Sequence, residues 1–177
     1  DFGSVNMSKR DLTAELAAVL AFSAIQNNDK VGVIFFSDQI EKFIPPKKGS
    51  SHILRIIREI VTFTPQHKGT DIGEGLRFLT SAIKKRTTAF LISDFVSQKS
   101  FEQPIRIAAN KHDLVCLRIT DKRELLIPKI GLVKFRDSET NKEVWVNTSR
   151  SSWNEAYQKH LQQESAKLNK IFANNGI

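Results

Sequence analysis

Two polar residues stand where an α/β sheet would bind a ligand. Asp94 follows the apolar run Phe90-Leu91-Ile92-Ser93 directly, and Thr70 lies in the loop entering a helix that opens at Thr70-Asp71. In open α/β sheets, ligands bind outside the carboxyl ends of the strands. A hydroxyl and a carboxylate meeting there make an oxygen-only set of the kind Mg²⁺ takes, because that ion keeps several waters and needs one or two carboxylates. The same residues have a plainer reading. A strand-end Asp often caps a turn or a helix, and Thr before Asp is often an N-cap. Asp38, at the end of the neighbouring apolar run, is the candidate second carboxylate for a Mg²⁺-dependent hydrolase with Asp94 as ligand or nucleophile. Turn capping is its plainer role.

Other chemistries lack their residues. The sequence holds no Walker-type phosphate loop, no G-x-G-x-x-G after a strand and no G-x-S-x-G elbow. His52, His67, His112 and His160 show no metal spacing. The single cysteine, Cys116, excludes an internal disulfide and a multi-cysteine zinc site. It sits in Leu114-Val115-Cys116-Leu117 and reads as a buried, inert thiol. That usage fits a reducing compartment, and the expected location is cytoplasmic. No apolar stretch reaches about 18 residues, the length of a membrane span, and the chain opens polar with Asp1-Phe2-Gly3-Ser4 rather than as a secretory signal.

The chain has 177 residues, 40% hydrophobic and 26% charged, which is ordinary globular composition and enough for one domain with a full core. The net charge of +8 invites nucleic acid, an anionic membrane or an acidic partner. The cations, however, are scattered in twos and threes, as in Lys47-Lys48, Lys84-Lys85-Arg86 and Lys122-Arg123, and read as solvated surface. With one Tyr and two Trp, no basic stretch interleaves with aromatics as a base-stacking platform would.

The elements that must position Thr70 and Asp94 alternate along the chain. A helix is predicted from about Ser8 to Asn27, with Leu12, Leu16, Val19, Leu20 and Ser23 recurring at spacings of three and four. Val31-Gly32-Val33-Ile34-Phe35-Phe36 is a continuous apolar run, as suits a strand buried on both faces of a parallel sheet. After the turn Ser37-Asp38, Ile40 to Ile44 alternates like an edge strand that Pro45-Pro46 ends; these prolines with Lys47-Lys48-Gly49 read as a rigid connector. Further helices are predicted over Ser51 to Phe63, from Thr70-Asp71 onward with Asp71 and Glu74 at capping-box spacing, and over Pro104 to Asn110. Strands are expected at Thr87 to Ile92 and Leu114 to Ile119. Gly131 to Asn147 reads as a β-hairpin, and Ser151 to Ala173 as a last helix with Trp153, Tyr157, Leu161, Leu168 and Phe172 inward. Trp145 and Trp153 read as packing residues rather than a binding cage. The alternation indicates an open α/β sheet with helices on both faces. Because such folds usually begin with a central strand, the first strand is expected to lie outside this chain, which looks cut at both ends.

Several segments together resemble the bacterial family called domain of unknown function 58. They are Asn28 to Asp38, Ile44-Pro45-Pro46-Lys47-Lys48-Gly49, Lys68-Gly69-Thr70-Asp71-Ile72 and Phe90-Leu91-Ile92-Ser93-Asp94-Phe95, within a likeness running from Phe2-Gly3-Ser4 to Asn175-Gly176-Ile177. Members of that family resemble von Willebrand factor A domains. The resemblance implies a single Rossmann-like domain over residues 1–177, with a metal-ion-dependent adhesion site at the top of the sheet. In that fold Mg²⁺ is held by a D-x-S-x-S motif after the first strand, plus a Thr and an Asp that Thr70 and Asp94 match. The motif is absent, since Asp1-Phe2-Gly3-Ser4-Val5 has Gly and Val where its serines belong. Mg²⁺ is therefore expected in the full-length protein and not in this chain.

The implied function is protein interaction rather than catalysis. Genes of the family accompany MoxR-type AAA ATPases and other von Willebrand A proteins, which are the expected partners in assembly or chaperone-like work. An acidic residue of the partner would complete the metal's coordination, with Lys68 and His67 flanking the site. No small-molecule substrate is implied. The hydrolase and a basic nucleic-acid-binding domain are the alternatives from other classes.

Overall fold

The computed structural model describes residues 9–67, 69–97, 99–120, 127–136 and 143–177. They form two compact units, residues 1–119 and 120–177.

The first unit runs α1 (Lys9–Gln26), β1 (Val31–Phe36), β2 (Ile40–Lys47), α2 (Ser50–Thr62), α3 (Ile72–Ala82), β3 (Thr88–Ser93), α4 (Glu102–Lys111) and β4 (Asp113–Arg118). These match the predicted elements to within a few residues at their ends. The core is built from one face of each helix. Ile53 and Ile56 of α2, Ile72 and Leu76 of α3, and Ile105 of α4 are almost wholly inaccessible. Aromatic contacts tie helices to strands. Phe63, just after α2, stacks on Phe35 of β1 at 4.4 Å, and Phe78 of α3 meets Phe43 of β2 edge-on at 5.2 Å.

The strands depart from the expected continuous sheet. They form a parallel pair, β3 with β4 in register from Thr88↔Asp113 to Ser93↔Arg118, and an antiparallel pair, β1 with β2. β1 is thus not a parallel strand buried on both faces. None of its residues is fully buried, and only β2 pairs with it among the described residues. β2 also passes through Pro45 and Pro46 to Lys47 instead of ending at them. It is an edge strand, where a proline's missing N–H costs no ladder bond, and the register shifts between Val31 and Val33 opposite the prolines. Gly32 permits this close approach, since a Cβ there would lie 2.8 Å from the Ile44 carbonyl oxygen. In α1, Val19 faces solvent rather than the core. Apolar residues surround that helix, so periodicity alone does not choose its inner face.

The second unit is a hairpin and a helix: β5 (Leu132–Arg136), β6 (Glu143–Asn147) and α5 (Ser151–Asn175). β5 and β6 pair antiparallel from Leu132↔Asn147 to Arg136↔Glu143, as the alternation predicts. Phe135 stacks on Trp153 at 5.9 Å, and Trp153 on Tyr157 at 5.3 Å. Buried Thr148 latches the hairpin's base, donating its hydroxyl to the Gly131 carbonyl at 3.0 Å and accepting the Ile130 N–H at 3.1 Å. Asn154 of α5 donates to the Thr148 carbonyl at 2.6 Å. The two tryptophans differ. Trp153 packs as expected, but Trp145 is exposed, with the Lys134 ammonium 5.9 Å from its ring centre.

Overall, this is a mixed α/β architecture with small sheets. No helix among the described residues is long and apolar enough to cross a membrane.

Candidate functional site

The site forms where β1, α3 and β3 end or begin. The Ser37 carbonyl, just past β1, accepts the Asp71 N–H at 2.8 Å and so pins the start of α3 to the end of β1. Gly75 lets α3 lie close to β1, because a Cβ there would be 3.0 Å from the Phe36 ring. Past β3, Ser97 donates its hydroxyl to the Thr70 carbonyl at 3.1 Å. The loops carrying Thr70 and Asp94 are therefore stitched together at one edge.

Asp71 is the N-cap of α3, as its spacing to Glu74 predicts: Oδ1 accepts the Glu74 N–H at 2.9 Å. The reciprocal half of a capping box does not form, since Glu74 pairs instead with Arg77 at 3.0 Å. The other Asp71 oxygen, Oδ2, receives the Lys99 ammonium at 2.9 Å and has the Arg77 guanidinium at 3.6 Å. Burial pushes the Asp71 carboxyl up, but the Lys99 hydrogen bond, the Glu74 N–H and the two cations outweigh it and hold it below its usual 3.8.

A second buried acid shapes the loop before Thr70. Glu41 of β2 accepts the Ser37 hydroxyl at 2.8 Å, the His67 N–H at 2.9 Å, the Gln66 N–H at 3.3 Å and the His67 ring Nδ1 at 3.2 Å. Burial raises its pKa, yet these donors, led by the His67 N–H, keep it below the usual 4.5. The sequence gives Glu41 no site signal, because the alternation of β2 marks it only as one face of an edge strand.

Asp94 is more open, with its side chain 36% exposed. Oδ1 accepts the Val96 N–H at 3.1 Å, the turn-capping role weighed from the sequence, and Oδ2 lies 3.4 Å from the Lys9 ammonium. The next residue, Phe95, is buried at a left-handed φ of 60°, a strained backbone for a bulky residue. Such strain concentrates at ligand clamps and switch regions. Asp38 is exposed beside Gly69, and Lys68 lies outside the described residues.

By themselves these residues do not fit Mg²⁺. The described part of Thr70 that is tied into the site is its carbonyl, and both Asp94 oxygens already face donors, one of them cationic. Among the described residues, no group of three or more His, Cys, Asp or Glu could hold a metal ion. Cys116 is half-buried rather than buried as read from its apolar run, and burial pushes its thiol up to about 12, which disfavours the thiolate.

The α/β fold resembles that of the crystal structure of the conserved hypothetical protein BatB from Bacteroides thetaiotaomicron. The two share 16% identity and a TM-score of 0.55, covering 94% of this chain and 91% of that one. Residues 1–167 match the family described as Protein of unknown function DUF58, and the chain belongs to that family. It is 26% identical over 142 residues to the uncharacterized proteins Rv1480 of Mycobacterium tuberculosis and Mb1516 of Mycobacterium bovis, covering 79% of this chain and 45% of each relative. The chain thus spans about half the length of the curated relatives it matches.

Proposed function

We propose that this chain is a protein-interaction module of von Willebrand A type, and that the edge around Thr70, Asp71 and Asp94 docks an acidic partner. One observation carries the reading: three strand and helix ends meet at an edge that displays two cationic heads beside the buried Asp71. The Lys99 and Arg77 side chains are 69% and 53% exposed while each touches Asp71. An ammonium has three donors and a guanidinium five, so both can bridge Asp71 to an incoming carboxylate. The partner expected from the family resemblance is a MoxR-type AAA ATPase or another von Willebrand A protein.

A metal-mediated form of the same docking is the second reading. It is favoured by the Ser97 stitch that brings the Thr70 and Asp94 loops together. It requires oxygen donors beyond those described. The hydrolase reading has less support. Both Asp94 oxygens already face donors, the Val96 N–H and the Lys9 ammonium, and among the described residues no group of three or more His, Cys, Asp or Glu could hold the metal it needs.

The test is a pull-down by a MoxR-type AAA ATPase, the partner expected from the family resemblance. Lys99→Glu combined with Arg77→Glu is expected to weaken capture at least about tenfold, with capture surviving EDTA. Loss of capture in EDTA, with the double variant still binding, would select the metal-mediated form. Capture insensitive to both treatments would remove this edge from consideration.

A further inference from the structure

We propose that the end of the first unit opposite Thr70 and Asp94 is a cationic face that seats on an anionic lipid bilayer. This inference is independent of the docking proposal. The cations of this face are scattered along the sequence, and the fold gathers them. Val31, the first residue of β1, pairs with Lys47 of β2, so Lys30, Lys47 and Lys48 meet at one end of that pair. His52 in the first turn of α2 meets the Val31 carbonyl at 2.9 Å, which holds the start of α2 there too. α3 descends to the same end. Gly75 lies against Phe36 at the finish of β1, and Phe78 meets Phe43, whose ladder partner is Ile34. Further along, Ile83 lines a cavity together with Lys30, Val31 and Pro46. Lys84, Lys85 and Arg86 follow directly, in the turn that leads to β3.

These six cations lack counter-ions. Elsewhere in the first unit, Lys9, Lys42, Arg77 and Lys99 each touch a carboxylate. Lys30, Lys47, Lys48, Lys84, Lys85 and Arg86 are all exposed and make no ion pair among the described residues. Lys111, which ends α4 beside them, is already bound to the Thr80 carbonyl. The acids in the turns of this end are Asp29 and Asp113, too few to balance the cluster. Like charges gathered in this way repel one another, and an anionic surface relieves the repulsion.

The build of the face favours a bilayer over a nucleic acid. Helices and strands reach it by their ends, so no helix or ribbon lies along it to enter a groove. The first unit has no Trp or Tyr on which bases would stack. Five of the six cations are Lys, a compact point charge, whereas bidentate reading of phosphates and base edges uses the fork of Arg. Clusters of about four to eight Lys or Arg are what anionic lipid surfaces attract, each residue adding to the attraction within a Debye length. β1 runs away from this face to Ser37, whose carbonyl holds Asp71. A chain seated on its cationic face would therefore keep the Thr70 and Asp94 edge turned away from the bilayer.

The test is co-sedimentation of the chain with vesicles of phosphatidylcholine alone and of phosphatidylcholine mixed with phosphatidylserine. Capture is expected only with phosphatidylserine present, and it should fall as salt is raised. Lys84→Glu combined with Lys85→Glu is expected to lower partitioning about thirtyfold. Lys47→Glu combined with Lys48→Glu, on a different element, should do the same. Arg58→Glu combined with Arg106→Glu makes the same charge change part-way along α2 and α4, and should lower it less than about threefold. Equal losses in all three variants would overturn the proposal, because net charge and not this face would then set the binding. Absence of capture by phosphatidylserine vesicles would overturn it as well. Capture of a mixed-sequence RNA in their place, lost in the Lys84 and Lys47 variants, would overturn it by assigning the face to nucleic acid.

Discussion

Asp71 and Asp94 stand at one edge of the first unit, yet their surroundings differ. Asp71 is buried and receives the Glu74 N–H and the Lys99 ammonium, with Arg77 close by. Asp94 is more exposed, closes a turn through Val96 and faces one ammonium at 3.4 Å. A carboxylate whose acceptor sites are filled from its own fold stabilises that fold. A carboxylate with open flanks can still meet something else. The contrast separates the residue that builds this edge from one whose loss should leave the edge standing.

The sharpest way to break this contrast is Asp71→Ala. Losing an N-cap costs about 1 kcal/mol, and losing hydrogen bonds to charged groups adds to it, so about 2 kcal/mol is expected from urea unfolding. An unchanged urea midpoint would mean that Asp71 does not anchor α3. Gly75→Ala tests the same anchor from its other side. Its methyl would press on the Phe36 ring, and overpacking of this kind costs about 1–3 kcal/mol.

The dependence of stability on pH extends the comparison to Glu41. Asp71 and Glu41 both have folded pKa values below their usual 3.8 and 4.5. The unfolded chain then binds protons first as pH falls, so the stabilisation is complete above about pH 4.5 and is lost through the folded values. Buried His112 acts in a higher window. Burial and then Lys111 lower its pKa from 6.5, and neither ring nitrogen has a hydrogen-bond partner among the described residues. Stability should therefore begin to fall below about pH 6.5, as the unfolded imidazole takes up a proton that the folded one refuses. His112→Leu should flatten that upper limb and leave the acid limb intact. Glu41→Gln should reduce the acid limb. Urea midpoints between pH 7 and pH 3 would show both, and a single limb unaffected by either variant would contradict the assignment.

What the sequence made legible was local. Asp71 and Glu74 lie three residues apart, so the cap of α3 could be read directly, and so could the apolar stripe of α2 that buries Ile53 and Ile56. The partners that complete the site are distant along the chain. Glu41 finds His67 from 26 residues away, Asp71 finds Lys99 from 28, and Asp94 finds Lys9 from 85. No periodicity encodes such pairs. The same limit explains the strands. The apolar run of β1 suits a strand buried on both faces, but burial depends on neighbours, and among the described residues it pairs only with β2. β2 passed through two prolines because its ladder partner, not its own composition, decides where pairing stops.

The smallest expected effect is the most informative about the edge. Asp94→Ala removes one long ion pair with Lys9 and one turn contact, and exposed pairs contribute about 0–1 kcal/mol. Its urea midpoint should stay near wild type, well apart from that of Asp71→Ala. Capture by the AAA ATPase then distinguishes the two forms of docking. Metal-mediated docking predicts that Asp94→Ala abolishes capture while leaving the fold intact. Docking through Lys99 and Arg77 predicts that capture persists, because neither cation touches Asp94 in the contacts described. A loss of stability as large as that of Asp71→Ala would erase the distinction between the two carboxylates and make both of them structural.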